Sequence, residues 1–171
     1  DWKGKELVVA AGGDGSLYLL DATSLGGPDH HQPLSKTGPI SDGFRGGFAS
    51  WEDTATGKRW VYASLGEASL PSAKFPKQNG KASDGGIVAF TVEERDGHPM
   101  LVPAWVSGNI AQPSPAVVAN GLVFVLAAGD AGEPRGQGAA VPYEVGRRRP
   151  APASRGRRPD GCDRPVRPDH P

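Results

Sequence analysis

The chain has 171 residues and equal numbers of basic and acidic side chains, 19 of each, so its overall charge gives no reason to expect a nucleic-acid or membrane-surface partner. Its 25 glycines and 17 prolines punctuate turns and interrupt helices, which excludes a helical bundle and points to an all-β domain. The single cysteine, Cys162, excludes an intrachain disulfide framework, and no stretch approaches the roughly 20 apolar residues of a membrane-spanning helix.

The first ordered run, "ELVVAAGGDGSLYLLDATSLGG", sets apolar segments at Leu7 to Ala11 and Leu17 to Leu20 on either side of "GGDG". Glycine supplies the positive φ of a tight turn and Asp14 can bond its own backbone there, so a β-hairpin is predicted. "FASWEDTATGKRWVYASL" repeats the arrangement, with Phe48 to Trp51 and Arg59 to Leu65 joined by a polar turn. A long polar loop from Gly66 to Gly85 follows. "GGIVAFTVEERDGHPMLVPAWV" then reads as a third hairpin, turning between Glu94 and Pro99, and "SPAVVANGLVFVLAAG" as a fourth, turning at Asn120 and Gly121. Leu17, Ile87 and Pro142 open comparable segments. A sheet unit recurring every 50 to 70 residues suggests the blades of a propeller.

The segment "GSLYLLDAT", with Gly15, Leu17, Leu19, Leu20, Asp21, Ala22 and Thr23, resembles the repeat of pyrroloquinoline quinone (PQQ) type β-propellers. "GGIVAFTV…PAWV" resembles a second copy, with Gly86, Val88, Phe90 and a docking tryptophan at Trp105, and "QPSPAVVANGLVFVLAAGD" resembles the inner strands of a third. The resemblance implies a partial antiparallel propeller over residues 1–145, two blades and the start of a third. Its pattern has physical sense: alternate strand residues bury a face against the neighbouring blade, Asp and Thr bond the turn, and Trp packs across the gap. Two departures stand out. The first copy has "TSLGG" and no following Trp, and the second has Thr91 where the pattern has Asp.

Residues 146–171 contrast with everything before them: rich in Arg and Pro, without lysine and without apolar period. By the resemblance "PYEV" should continue as Asp-Ala-Ala. One base inserted into GC-rich codons for Val-Asp-Ala-Ala yields Val-Gly-Arg-Arg, the residues that stand at 145–148. The expectation is out-of-frame translation or a disordered tail. A genuine Arg-rich arm would instead engage an anionic partner such as nucleic acid. The start, "DWKGKELVVAA", has neither an initiator Met nor a signal-like apolar region, which suggests an internal fragment.

Chemistry is thinly represented. Asp29, His30 and His31 are the densest group of potential metal ligands, but neighbouring histidines on an extended backbone point apart, so a solvated loop is expected. His98 falls in a turn. Asp42 and Arg45 lie where a loop enters an inner strand, near a propeller's central channel. Trp51, Trp60 and Trp105 are expected to dock blades rather than stack on a cofactor. "GDGS" and "AGDAGEPRG" are not followed by the helix that a phosphate loop needs, and no catalytic triad, catalytic residue or metal site can be selected. By resemblance the function is a non-catalytic binding or assembly scaffold, periplasmic or extracellular. Its partners would be the remaining blades of the same propeller and other proteins, and no cofactor is expected in these residues. The alternative is part of a PQQ-dependent dehydrogenase that would bind PQQ with calcium through blades outside this chain. A piece with uncovered blade faces is expected to aggregate or to lack a cooperative transition.

Overall fold

A computed structural model describes residues 1–66 and 74–128 and the backbone of 139–144. Among them there is no helix. Eleven strands form three sheets. β1 (Leu7–Ala11), β2 (Leu17–Asp21) and the two-residue β3 (Ser35–Lys36) make the first. β4 (Ala49–Asp53), β5 (Lys58–Leu65), β7 (Gly86–Arg95) and β8 (His98–Val106) form an antiparallel meander, to which β6 (Lys77–Gln78) adds in parallel beside β8. β9 (Val117–Ala119), β10 (Leu122–Ala127) and β11 (Ala139–Glu144) make the third.

All four expected hairpins are present. Asn120 and Gly121 both have positive φ, 50° and 72°, as do Asp96 and Gly97 at 52° and 79°. Two-residue turns of this hand match the right-handed twist of the strands they join. The β7–β8 turn is therefore tighter than the Glu94-to-Pro99 span read from sequence, and His98 is the exposed first residue of β8. Within the Gly66-to-Gly85 loop, 77–78 form a strand and 67–73 lie outside the described residues. The whole 146–171 tail lies outside them too.

The central meander is apolar on both faces. Val61, Ala63, Leu65, Val88, Phe90, Val92, Leu101 and Val106 meet Leu17 and Leu19 of the first sheet in one core. Trp60, Tyr62, Ile87, Ala89 and Trp105 meet Val123 and Val125 of the third in another. The molecule is thus a stack of three sheets. Ala49, Tyr62, Ala89 and Trp105 are register partners across four strands and alternate small with large along that row. Tyr62 lies 6.2 Å from the Trp60 ring and 6.0 Å from that of Trp105.

A bulge decides which core Trp105 joins. Ala89 pairs with Trp105 but Phe90 pairs with Pro103, so Ala104 is an extra residue on β8. Strict alternation from Leu101 would turn Trp105 into the first core; the extra residue turns it into the second and sends Val106 to the first.

Tyr62 is fully buried, yet its hydroxyl has no hydrogen-bond partner among the described residues, and desolvation holds its ionisation well above the ordinary phenol value. Tyr62→Phe removes that orphan at nearly constant shape and should raise stability by about 1 kcal/mol in a denaturant titration. Phe90→Ala, which empties the first core, should cost about 3 to 5 kcal/mol in the same experiment.

Candidate functional site

Two hollows and one repeated set of bonds account for the residues singled out by sequence. The bonds come first because they hold the sheets in place. Leu17 N–H donates to Thr37 Oγ1 at 2.9 Å, Thr37 Oγ1 donates to Gly38 O at 2.9 Å, Thr37 N–H to Leu17 O at 2.9 Å, and Ile40 N–H to Gly15 O at 2.8 Å. The same four bonds recur about 70 residues later. Ile87 N–H donates to Ser107 Oγ at 2.9 Å, Ser107 Oγ to Gly108 O at 2.7 Å, Ser107 N–H to Ile87 O at 2.9 Å, and Ile110 N–H to Gly85 O at 3.0 Å. A further pair follows the same logic: Arg45 N–H donates to Ser64 O and Ser114 N–H to Leu126 O, each at 2.8 Å. Each set fastens the connection that leaves one sheet and enters the next.

Gly15 and Gly85 are needed at equivalent places. Their φ values are +76° and +130°, and a Cβ would approach Ser41 O to 2.1 Å and Ile110 O to 2.7 Å respectively. The equivalent of Gly15 is therefore Gly85, while Gly86 stands opposite Ser16 and would carry a Cβ 2.9 Å from Ser107 Oγ. In this register Leu17 and Leu19 correspond to Ile87 and Ala89, and both pairs face the sheet that follows. Val88 and Phe90 face the sheet before. Trp105 then corresponds to Ser35, which explains why the first copy has no docking tryptophan: Ser35 Oγ instead accepts Leu101 N–H from the central sheet at 3.3 Å. The sequence carried this signal in "TGPI" and "SGNI", a hydroxyl residue, Gly and Ile at matched spacing.

Asp21 closes the turn after β2. Its Oδ1 accepts Thr23 N–H at 2.8 Å and the Thr23 hydroxyl at 2.5 Å, and these bonds, the hydroxyl's first, hold its pKa below the ordinary aspartate value of 3.8. At Thr91 there is no such turn; β7 runs on to Arg95 and Thr91 donates to Glu93 Oε1 at 2.9 Å. Asp53 takes the turn role after β4, accepting Ala55 N–H at 3.0 Å and the Thr56 hydroxyl at 2.7 Å, the latter being the main cause of its lowered pKa.

The first hollow, about 280 Å³, lies between the first and central sheets. Leu7, Val9 and Leu19 wall one side; Phe48, Ala49, Ser50, Val61 and Val92 wall the other. Arg59 enters from β5. Its guanidinium donates from Nη2 to Glu52 Oε2, while its Nε is buried without a partner among the described residues. The second hollow, about 570 Å³, opens on the far face of the first sheet and is lined by Tyr18, Leu20, His30, His31 and Lys36. There Asp14 accepts from Lys36 Nζ at 2.8 Å and from the Tyr18 hydroxyl at 3.0 Å, and Lys36 lies 5.1 Å from the Tyr18 ring centroid. The hydrogen bond with Asp14 lifts Lys36 to about 12, and the same contact depresses Asp14.

The histidines serve the loop. His30, at φ 57°, bonds Leu25 O through Nδ1 at 3.0 Å, and His31 N–H donates to Asp29 Oδ1 at 3.3 Å. Among the described residues no three His, Cys, Asp or Glu side chains gather to hold a metal. Asp42 is exposed, and Arg45 is fixed by its backbone to Ser64. Trp51, Trp60 and Trp105 all line the second core. Comparison with protein-family models, curated proteins and solved structures gives no match to this chain.

Ser107→Ala leaves the buried Ile87 N–H without an acceptor and should cost about 1 to 3 kcal/mol by denaturant titration. Acid should act on the turns. Asp21 and Asp53 have folded pKa values below 3.8, so the stability they give is complete above that value and is lost as pH falls through their folded values. Melting temperature should therefore fall between about pH 4 and pH 2, and the double variant Asp21→Asn, Asp53→Asn should show a shallower fall over that window.

Proposed function

We propose that the chain is part of a PQQ-repeat type β-propeller that works as a non-catalytic binding or assembly scaffold. The observation that carries this reading is the recurrence, after about 70 residues, of the hydrogen-bond set that fastens each connection between sheets. A periodic stack of four-stranded antiparallel meanders is the organisation of propeller blades. The end faces support it as well. Val8 is 38% exposed on one end, and Val117 and Leu126 are 61% and 54% exposed on the other, where a further sheet of the same kind would cover them.

The scaffold role is favoured over dehydrogenase chemistry because the residues with chemical potential are engaged in holding the fold. Asp14, Asp21 and Asp53 bond turns, Thr37 and Ser107 fasten connections, and the three tryptophans fill a core. The partners proposed are further blades and other proteins, in a periplasmic or extracellular setting.

Two measurements test this. Val117→Thr with Leu126→Thr should convert an associating chain into a monomer by light scattering, without loss of β signal in circular dichroism; unchanged association would count against the covered-face argument. Titration of the chain extended by its neighbouring coding sequence with PQQ and Ca²⁺ should leave tryptophan fluorescence unchanged. Saturable quenching would favour the dehydrogenase reading instead.

A further inference from the structure

The cavity of about 280 Å³ marks the place of an absent strand. β4 is the first strand of the central meander, and on the third-sheet side it is faced by β9. On the other side the first sheet ends at β1, and among the described residues no strand lies beyond it. The residues beneath that gap, Phe48, Ala49 and Ser50, therefore line a hollow instead of a packed interface.

The edge of β1 is suited to pairing. Ala22 N–H donates to Glu6 O and Gly12 N–H to Ser16 O, so in the antiparallel ladder Val8 and Ala10 exchange bonds with β2. Leu7, Val9 and Ala11 consequently turn their N–H and C=O groups to the free edge. The side chains of Leu7 and Val9 point into the cavity. One polar atom in the same hollow lacks a partner, the buried Nε of Arg59. An N–H donor on a cation, removed from water, calls for an anionic acceptor.

We propose that the groove between β1 and β4 binds an extended peptide segment of a protein partner. The segment adds antiparallel or parallel to β1 as a fourth strand, places apolar side chains at alternate positions in the cavity, and brings one Asp or Glu carboxylate to Arg59 Nε. Main-chain bonds to Leu7, Val9 and Ala11 supply affinity, while the cavity and Arg59 supply selection. The proposal names the partner class for the scaffold reading and rests on it only in that respect, since its geometry is that of β1, β4 and Arg59 alone.

The test uses the full chain carrying Val117→Thr and Leu126→Thr on the far sheet, titrated with a labelled, end-blocked ten-residue peptide of alternating Val and Thr with a single Glu. Saturable anisotropy is expected, together with slowed amide exchange at Leu7, Val9 and Ala11 but not at Val8 or Ala10. N-methylation of the peptide on the face toward β1 should abolish binding, and N-methylation on the opposite face should leave it. Arg59→Gln should weaken the Glu peptide about tenfold and leave its Gln analogue unaffected. Equal binding of the two methylated peptides, or no change in exchange at the three amides, overturns the proposal. So does protection of those amides in a peptide-free dimer, which would assign the edge to a second copy. Either failure leaves the scaffold reading to its own test on the opposite end face.

Discussion

Everything in this molecule follows from a sheet that is apolar on both sides. A strand alternates its side chains between two faces, so a meander with Val61, Ala63 and Phe90 on one face and Trp60, Tyr62 and Ala89 on the other cannot lie on a solvent boundary. It has to be an inner layer. The first and third sheets supply the covers, and their own alternation passes the condition outward, through Val8 on one end and Val117 and Leu126 on the other. Single exposed apolar residues are ordinary, but here they fall on the faces the stacking leaves open.

Apolar faces press sheets together without fixing how far one is turned or slid against the next. That precision comes from the connections. A hydroxyl at Thr37 or Ser107 accepts from the first strand residue of its own sheet and donates onward to the next glycine carbonyl, while Ile40 and Ile110 close back on Gly15 and Gly85. Each connection is thereby tied to the hairpin turn it passes. The glycines are part of this device, because any side chain at Gly15 or Gly85 would meet a carbonyl oxygen that the crossing connection has brought close.

The hairpins were legible because their information is local: Asn120-Gly121 and Asp96-Gly97 announce the turn, and apolar runs on either side announce the strands. β3 and β6 were not, since "SK" and "KQ" carry no apolar alternation and are strands only through a neighbour's edge. The bulge at Ala104 was equally hidden. One extra residue leaves no mark on composition, yet it decides which core receives Trp105. The docking role expected of Trp105 needed no knowledge of the bulge, whereas the correspondence of Val88 and Phe90 with Leu17 and Leu19 did need the register, which matches the latter pair to Ile87 and Ala89. Arg59 gave no sign at all, because a basic residue just after a polar turn reads as surface.

The polar atoms left without partners belong to the same argument. Arg59 Nε lies where the first sheet is one strand short, and Tyr62 Oη and Trp60 Nε1 lie in the interface with the third sheet. The connections, by contrast, satisfy their buried donors by a repeated rule. Buried N–H and O–H groups in a folded chain are nearly always paired, so an orphan marks either a cost the surrounding packing offsets or a place meant for another group. For Tyr62, wedged between two indole rings, aromatic packing offers the offset. Arg59 has no comparable compensation. Its orphaned nitrogen faces a cavity rather than a packed ring, and the cavity adjoins a strand edge with unpaired backbone groups. Three separate deficits, of volume, of an acceptor and of ladder bonds, coincide at one groove, and a single extended segment would remove all three.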